Sequence, residues 1–381
     1  MFDVVIIGAG FAGAVLAERL ASQQNKKVLL VDKRQHVGGN CYDYKDDNGI
    51  IVHKYGPHLF HSNLRHVWDY LSQFTEWDIY QHKVLACIDG KPVPIPFNLN
   101  TLYEVFPDSM ARRMEEKLLD EYEYNSKVPI LKLKQSTDKD LQFLADFVYE
   151  KIFLHYTMKQ WGMKPEEIDG AVTARVPIFI GRDNRYFNDE YQGVPKKGYT
   201  DIFNNMLNHP NIKLMLNTSA KEILELTDDK IKLMGMPSDG KVIYTGLLDD
   251  LFDYKFGELP YRSVDMRFES IPKKDYQDAA TVNYPNNYEF TRITEFKKVH
   301  YADVPNTTIL KEYPQPYKRG ENTPYYPIFT EKNQEMYAKY AEEAKKYNQL
   351  ILVGRLAEYR YYDIDDMVER ALQIYENEFT K

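Results

Sequence analysis

The residues with the clearest chemical capacity lie at the amino terminus. Gly8-Ala9-Gly10-Phe11-Ala12-Gly13 forms a GxGxxG, and Asp32 follows 24 residues after Gly8. That pattern holds a dinucleotide. Gly8 permits a tight turn, Gly10 lets backbone amides approach a pyrophosphate, and Gly13 lets the following helix close on the strand. Asp32 is spaced to meet a ribose hydroxyl. Just beyond it come the basic pair Lys33-Arg34 and then Gly38-Gly39-Asn40, a combination that favours FAD over NAD. A chance glycine-rich turn is the competing reading.

Three further clusters could carry chemistry. In Tyr55-Gly56-Pro57-His58-Leu59-Phe60-His61-Ser62, two histidines bracket an apolar pair in a Gly-Pro loop. They could sit beside a flavin, bind a metal, or lie on the surface; no third ligand cluster accompanies them. The second cluster is Tyr156-Thr157-Met158-Lys159-Gln160-Trp161-Gly162, followed by Arg175 and Asn184-Arg185-Tyr186-Phe187. Rings beside basic groups suit a nucleotide, with a base stacked on an aromatic face and a phosphate on a guanidinium. A packed aromatic helix end would look the same. The third is dispersed: Arg262, Asn283, Arg292, Glu312, Tyr325-Tyr326-Pro327 and Tyr359-Arg360-Tyr361-Tyr362-Asp363. Arginines among tyrosines in an acidic chain fit a small anionic ligand, and a solvated sheet face is the alternative.

The elements that must position these residues follow from periodicity. Residues 2–7 read as a buried strand, 14–22 as a helix and 27–31 as a second strand. Residues 110–124 and 138–158 have amphipathic helical patterns. Residues 211–247 and 255–312 read as short strands, the latter as an antiparallel sheet with one wet face. Residues 170–196, with Gly170, Gly181, Gly193, Pro177 and Pro195, read as a long mobile loop able to close over a ligand. A late strand at 351–353 returns Arg355 to the first domain, and helices at 330–347 and 364–378 close the chain. The predicted fold is α/β, with a discontinuous Rossmann-like FAD-binding domain (1–65, 195–248, 340–381), an inserted helical domain (98–165) and an antiparallel sheet substrate domain (66–97, 166–194, 249–339).

Composition narrows the function. Lys and Arg total 49 against 57 Asp and Glu, a net charge of −8 with no basic block, which argues against a nucleic-acid partner. Two cysteines, Cys41 and Cys87, exclude a disulfide scaffold and a Cys-rich zinc site and suit a reducing cytoplasm. No apolar run reaches the ~18–20 residues of a spanning helix, and no positively charged leader precedes the first strand. A cytoplasmic protein without metal or membrane insertion is expected. The 31 tyrosines exceed Phe and Trp together, which suits stacking on a ring-bearing ligand or reflects coding bias.

Ordered along the chain, these landmarks resemble the prokaryotic UDP-galactopyranose mutases over essentially the whole length. The matching segments include GGN at 38–40, HKYGPHLFHS at 53–62, YTMKQWG at 156–162, RVP at 175–177, YFNDEYQGVPKKGYT at 186–200, TRITEFK at 291–297, KEYP at 311–314, PYYP at 324–327 and GRLAEYRYYDID at 354–365. The resemblance implies a flavin site at Gly8, Gly10, Phe11, Gly13, Asp32, Lys33, Gly39, Asn40, His58, Arg355 and Asp363. It implies a lid around Arg175, and diphosphate contacts from Arg175 and Arg292. Uridine contacts would come from Phe153, Tyr156, Trp161 and Tyr186, and phosphate contacts from Tyr326 and Tyr361. Asn283 and Arg262 would also line the substrate pocket, and His61 would lie near sugar and flavin. A homodimer is implied as well.

The implied reaction interconverts UDP-galactopyranose and UDP-galactofuranose without net oxidation. N5 of reduced FAD attacks the anomeric carbon and displaces UDP, with Arg175, Arg292 and His61 as the assisting residues. An external reductant would maintain the flavin, and the furanose would feed surface glycans such as cell-wall polymers and lipopolysaccharide. The residues supply no persuasive protein nucleophile, in keeping with covalent work done by a cofactor. Ser62 stands where relatives often carry Thr, and His82-Lys83 lie in a variable region. A variant acting on UDP-N-acetylgalactosamine therefore stays open, as do a flavin amine oxidase-like oxidoreductase and a flavoprotein that binds nucleotide sugars without turnover.

Overall fold

The computed structural model describes residues 2–162, 177–227, 230–237 and 240–380. Arg175 and the centre of the expected lid lie outside the described residues.

Short, wholly apolar segments form the central sheet. Val4–Ile7 and Val28–Val31 are buried along their length. They pair in parallel, and Ile212–Met215, Lys241–Tyr244 and Leu350–Leu352 complete five parallel strands. The spatial order places Ile212–Met215 at one edge, then Val28–Val31, Val4–Ile7, Lys241–Tyr244 and Leu350–Leu352. In chain order this is 3-2-1-4-5, the doubly wound arrangement that opens a crevice at the carboxyl end of the first strand. Alternation sends Val4, Ile6, Val28 and Leu30 into one core with helices Phe11–Gln24, Tyr199–Leu207 and Ile364–Phe379. Val5, Ile7, Leu29 and Val31 enter a second core with Tyr244, Leu248 and Tyr340. Both faces are covered, as a parallel sheet requires.

Helices Leu99–Val105, Asp108–Glu121 and Lys139–Val148 share a separate core around Leu102, Met114, Leu118 and Leu144. The expected helix 138–158 is one rod with a wider π turn, Tyr149–Leu154, before it resumes as His155–Trp161. A seven-stranded sheet stacks Tyr326–Pro327, Tyr261–Ile271, Thr307–Pro316, Arg292–Glu295, Thr281–Asn283, Val84–Ile88 and Lys91–Ile95. It is antiparallel except where Thr281–Asn283 runs parallel to Val84–Ile88.

The expectation of a loop throughout 170–196 needs correction within its described part. Pro177–Phe179 pairs with Lys127–Pro129, and Ile178 and Ile180 are buried in the helical core. Tyr191–Pro195 pairs with both Phe60–Ser62 and Trp77–Ile79. The Gly and Pro content suggested a loop, but Ile178, Ile180 and Val194 bury enough apolar surface to outweigh it. This segment also crosses the expected domain borders: its first strand joins the helical layer, not the sheet.

Candidate functional site

The glycine loop turns sharply at Gly8, whose φ is +107°. A Cβ there would lie 1.9 Å from Thr245 Oγ1, and a Cβ on Gly13 would lie 1.9 Å from the Gly8 carbonyl oxygen. Both positions exclude side chains. A Cβ on Gly10 would meet only Gly39 Cα at 3.7 Å, so Gly10 keeps open a space that the fold itself does not need closed. Gly10 caps helix Phe11–Gln24 without a side-chain hydrogen bond, and no acid occupies the first turn. The helix thus presents unsatisfied N–H groups and partial positive charge to the crevice, which suits a pyrophosphate. Asp32 is buried at the tip of the second strand. Its Oδ2 accepts from Ala9 N and its Oδ1 from Arg34 N, each at 2.8 Å. Arg34 donates to Asn40 Oδ1 at 2.9 Å and lies 4.2 Å over the Tyr55 ring, while Lys33 is exposed. Cradle, acid and open helix end fit a dinucleotide cofactor.

Arg355 projects from beyond the last strand of this sheet. Its guanidinium lies 4.5 Å from the Tyr361 ring centre and 5.7 Å from that of Tyr326, and it donates to the Tyr362 carbonyl. Tyr326 and Tyr361 stack at 6.3 Å, and Trp161 adjoins Tyr326 at 6.3 Å. Tyr361 OH donates to Asp363 Oδ1 at 3.1 Å.

Arg292 stands at the centre of the side-chain pocket. Its Nε donates to Glu312 Oε1 at 2.6 Å, and Glu312 is 2% exposed. The strands set this pair directly opposite one another, with Asn283 facing Arg292 from the other side. Burial works against the charged guanidinium, but Glu312, with Tyr156 and Tyr326, more than offsets it, so the group stays protonated above its ordinary range. The Arg292 charge also acts on Tyr186, His58 and His82. Tyr186 and Tyr361 remain 41% and 46% exposed. Large rings left open beside a half-buried cation form a ligand surface rather than a core.

His58 donates from Nδ1 to the Gly56 carbonyl at 2.8 Å, which leaves Nε2 as an acceptor. Burial lowers it to about 4, assisted by Arg355 and Arg292. His61 donates from Nδ1 to Asp189 Oδ2 at 3.1 Å and stacks on Phe187 at 3.6 Å. Asp189 also accepts from Asn63 Nδ2 at 2.7 Å. Asp189 was not singled out in the sequence, and Glu312 and Phe187 stood in the candidate clusters without a role. Glu312 lies in the noted KEYP segment, but only strand register reveals what it faces.

Two expectations change. Arg262 was expected in the substrate pocket, yet Nε donates to Gln160 O at 3.0 Å and Nη2 to Lys159 O at 3.1 Å. It caps the carboxyl end of helix His155–Trp161, where a cation meets the negative end of the helix dipole. Phe153, expected on the uridine, is 7% exposed in the π turn and packs near Tyr149 at 6.0 Å.

Asp43, His53 and His300 are the one group among the described residues close enough to share a metal ion. All three are engaged in hydrogen bonds, although His300 Nδ1 is buried without a partner. His53 Nδ1 accepts from His58 N at 2.9 Å, so Nε2 carries the proton and donates to His300 Nε2 at 2.8 Å. Asp43 accepts from Tyr199 N and Thr200 N at the start of helix Tyr199–Leu207.

A family model described as UDP-galactopyranose mutase matches residues 151–361, and one described as NAD(P)-binding Rossmann-like domain matches 6–74. The dTDP-fucopyranose mutase of Escherichia coli is 34% identical over 98% of this chain and 97% of its own. The probable UDP-galactopyranose mutase of Klebsiella pneumoniae is 35% identical over 97% of this chain and 93% of its own. Among solved structures, reduced UDP-galactopyranose mutase superposes with a TM-score of 0.72 at 17% identity, covering 99% of this chain and 93% of that one. A putative protoporphyrinogen oxidase from Exiguobacterium gives 0.61 at 12% identity, covering 98% and 97%, which is likeness of fold.

Proposed function

The chain belongs to the UDP-galactopyranose mutase family, and on that premise we propose that it is an FAD-dependent isomerase interconverting UDP-galactopyranose and UDP-galactofuranose. The observation that carries this reading is Arg292, a half-buried cation held by Glu312, with Tyr156, Tyr186 and Tyr326 around it. Such a site suits a nucleoside diphosphate, with the base against the rings and the diphosphate at the guanidinium.

The glycine cradle would hold FAD, with Asp32 toward its ribose and the open end of helix Phe11–Gln24 toward its pyrophosphate. When bound and reduced, the flavin supplies an electron-rich nitrogen as nucleophile toward the anomeric carbon. The chain supplies position and charge. Arg292 would neutralise the departing diphosphate and keep it near for return, with Arg175 as the proposed second cation. Glu312 holds the Arg292 guanidinium in place without filling the cleft. Tyr326 and Tyr361 offer hydroxyls to phosphate oxygens. His58, kept neutral by burial, adds no positive charge to compete with Arg292 and Arg355, and with Nδ1 engaged at Gly56 its Nε2 is an acceptor. Asp189 fixes the tautomer and tilt of His61 beside the sugar.

A second reading concerns the substrate. Similarity to the dTDP-fucopyranose mutase extends over 98% of the chain, so a dTDP-6-deoxy sugar is the alternative nucleotide. An external reductant, a homodimer, a cytoplasmic location and supply of furanose to surface glycans belong to the same proposal. No helix among the described residues is long and apolar enough to cross a membrane.

The test is anaerobic incubation with dithionite and either UDP-galactofuranose or dTDP-fucofuranose, followed by chromatography. Conversion of the uridine compound to its pyranose only after flavin reduction is expected. Equal turnover with oxidised flavin would remove the nucleophile. Turnover of the thymidine compound alone would reassign the substrate.

A further inference from the structure

Helix His155–Trp161, the last part of the rod that starts at Lys139, carries Tyr156 and Trp161. What fastens it is unusual in charge. Lys159, on the same helix, donates from Nζ to three main-chain carbonyls: Tyr284 at 2.5 Å, Tyr288 at 3.0 Å and Phe290 at 3.2 Å. All three ammonium donors are thereby used on neutral oxygens. Those carbonyls belong to the turn joining Asn283 to Arg292, the ends of two sheet strands. Its rings form a compact knot, with Tyr284 4.8 Å from Tyr288 and 4.9 Å from Phe290. Asn286 Nδ2 adds a bond to the Lys151 carbonyl at 2.7 Å. Arg262 closes the carboxyl end of the helix from strand Tyr261–Ile271.

We infer that Lys159 is a positioning residue that sets the helix bearing Tyr156 and Trp161 at a fixed distance from Arg292, and so fits the pocket to a base and a diphosphate joined by one ribose. This rests on the nucleotide-sugar reading above. The geometry distinguishes the clamp from ordinary packing. A lysine that only filled space would leave its ammonium in water, whereas this one converges on a turn whose two ends are Asn283 and Arg292. Burial lowers Lys159 to about 8, as expected for an ammonium partly withdrawn from water. The clamp acts where ground and transition states share the same nucleotide, so its loss should raise KM more than it lowers kcat.

The experiment uses the flavin-loaded full chain and two variants, Lys159→Ala and Lys159→Gln. UDP binding is read by tryptophan fluorescence, with dTDP in parallel, and turnover is measured on the reduced enzyme. Both variants should keep their flavin and its absorbance spectrum. The UDP Kd and the KM should rise about ten- to fifty-fold in Lys159→Ala, the loss expected for hydrogen bonds from one charged group, with kcat within about threefold. Propylammonium should restore much of the affinity of Lys159→Ala, and isobutanol should not. Unchanged Kd in both variants overturns the inference. So does loss of flavin or helical signal in both, because the contact would then serve folding rather than the pocket. Failure of the unaltered protein to bind UDP or dTDP would instead overturn the functional reading on which this rests.

Discussion

The two halves of the site are built from different material. The cofactor cradle is main chain: Gly8, Gly10 and Gly13 act by lacking side chains, and their partners are a carbonyl, a hydroxyl and a helix end. The substrate pocket is side chain: Arg292, Glu312, Tyr156, Tyr186, Tyr326 and Tyr361 reach it from separate strands, loops and a helix. A main-chain site is fixed by local sequence and tolerates almost no substitution. A side-chain site depends on how distant segments pack, and its parts can be removed one at a time. The first should therefore fail as a whole, and the second in graded steps.

The largest effect should come from the cradle. Gly13→Val places a carbon 1.9 Å from the Gly8 oxygen, and the helix cannot close on the strand. No soluble, flavin-containing protein is expected, judged by the 450-to-280 nm absorbance ratio and circular dichroism. Gly10→Ala has room, at 3.7 Å from Gly39 Cα, and should give folded protein with reduced flavin content. If both variants fold and hold flavin equally, the two regions do not differ as argued.

Next comes Arg292→Ala. Turnover should fall by about 10²–10³, the usual loss of one charge-stabilising donor, with flavin retained. Stability should fall too, because Glu312 would be left 2% exposed and unpaired. Breaking a fully buried pair costs about 3–5 kcal/mol, an upper bound for this half-buried one. Adding Glu312→Gln should recover much of the stability and none of the turnover. Denaturant midpoints beside initial rates separate the two roles. Loss of flavin in Arg292→Ala would move this residue to the cradle side of the comparison.

The same contrast explains what was legible in the sequence. The cradle was readable because GxGxxG, Asp32 and Gly38-Gly39 act through neighbours a few residues away. The two apolar strands and the helix between them followed from periodicity for the same reason. The partnership of Arg292 with Glu312 depends on a strand register set between segments 20 residues apart. The cap that Arg262 places on a helix 100 residues earlier leaves no local trace. Pro177–Phe179 and Tyr191–Pro195 were read as loop because Gly and Pro dominate local propensity, while the strands that pair with them lie far off in the chain. The family resemblance named Tyr156, Tyr186, Tyr326 and Tyr361; the fold sets the first three around Arg292 and the fourth beside Arg355.

Acid should distinguish the regions more gently. Burial lowers His58 and His300 to about 4 and His82 to about 3, and holds His53 well below its ordinary range. In the unfolded chain each takes a proton near pH 6.5. Between pH 6.5 and about 4 the unfolded state therefore binds more protons than the native state, and stability falls as pH falls. The slope is up to about 1.4 kcal/mol per pH unit for each group. Urea midpoints from pH 7 to 4.5 check this. His300→Phe should flatten the slope by about one proton. A midpoint unchanged down to pH 5 would mean that these imidazoles charge freely in the native state.

The smallest effect expected lies at the seam between the two regions. Arg355 comes from the parallel sheet and rests over Tyr361 at 4.5 Å and Tyr326 at 5.7 Å, so the rings that border the pocket also brace an arginine of the cradle. Tyr361→Phe keeps that face and removes only the hydroxyl bonded to Asp363. A hydrogen bond this exposed to water is worth about 0.5–1.5 kcal/mol, so KM should rise about two- to tenfold with flavin binding unchanged. Tyr361→Ala removes the face as well, and both flavin affinity and KM should worsen. If Phe and Ala behave alike, the ring does not brace Arg355 and the two regions are independent. If Ala alone releases flavin, cradle and pocket are coupled through this one aromatic contact, and the side-chain half of the site helps to hold the main-chain half in place.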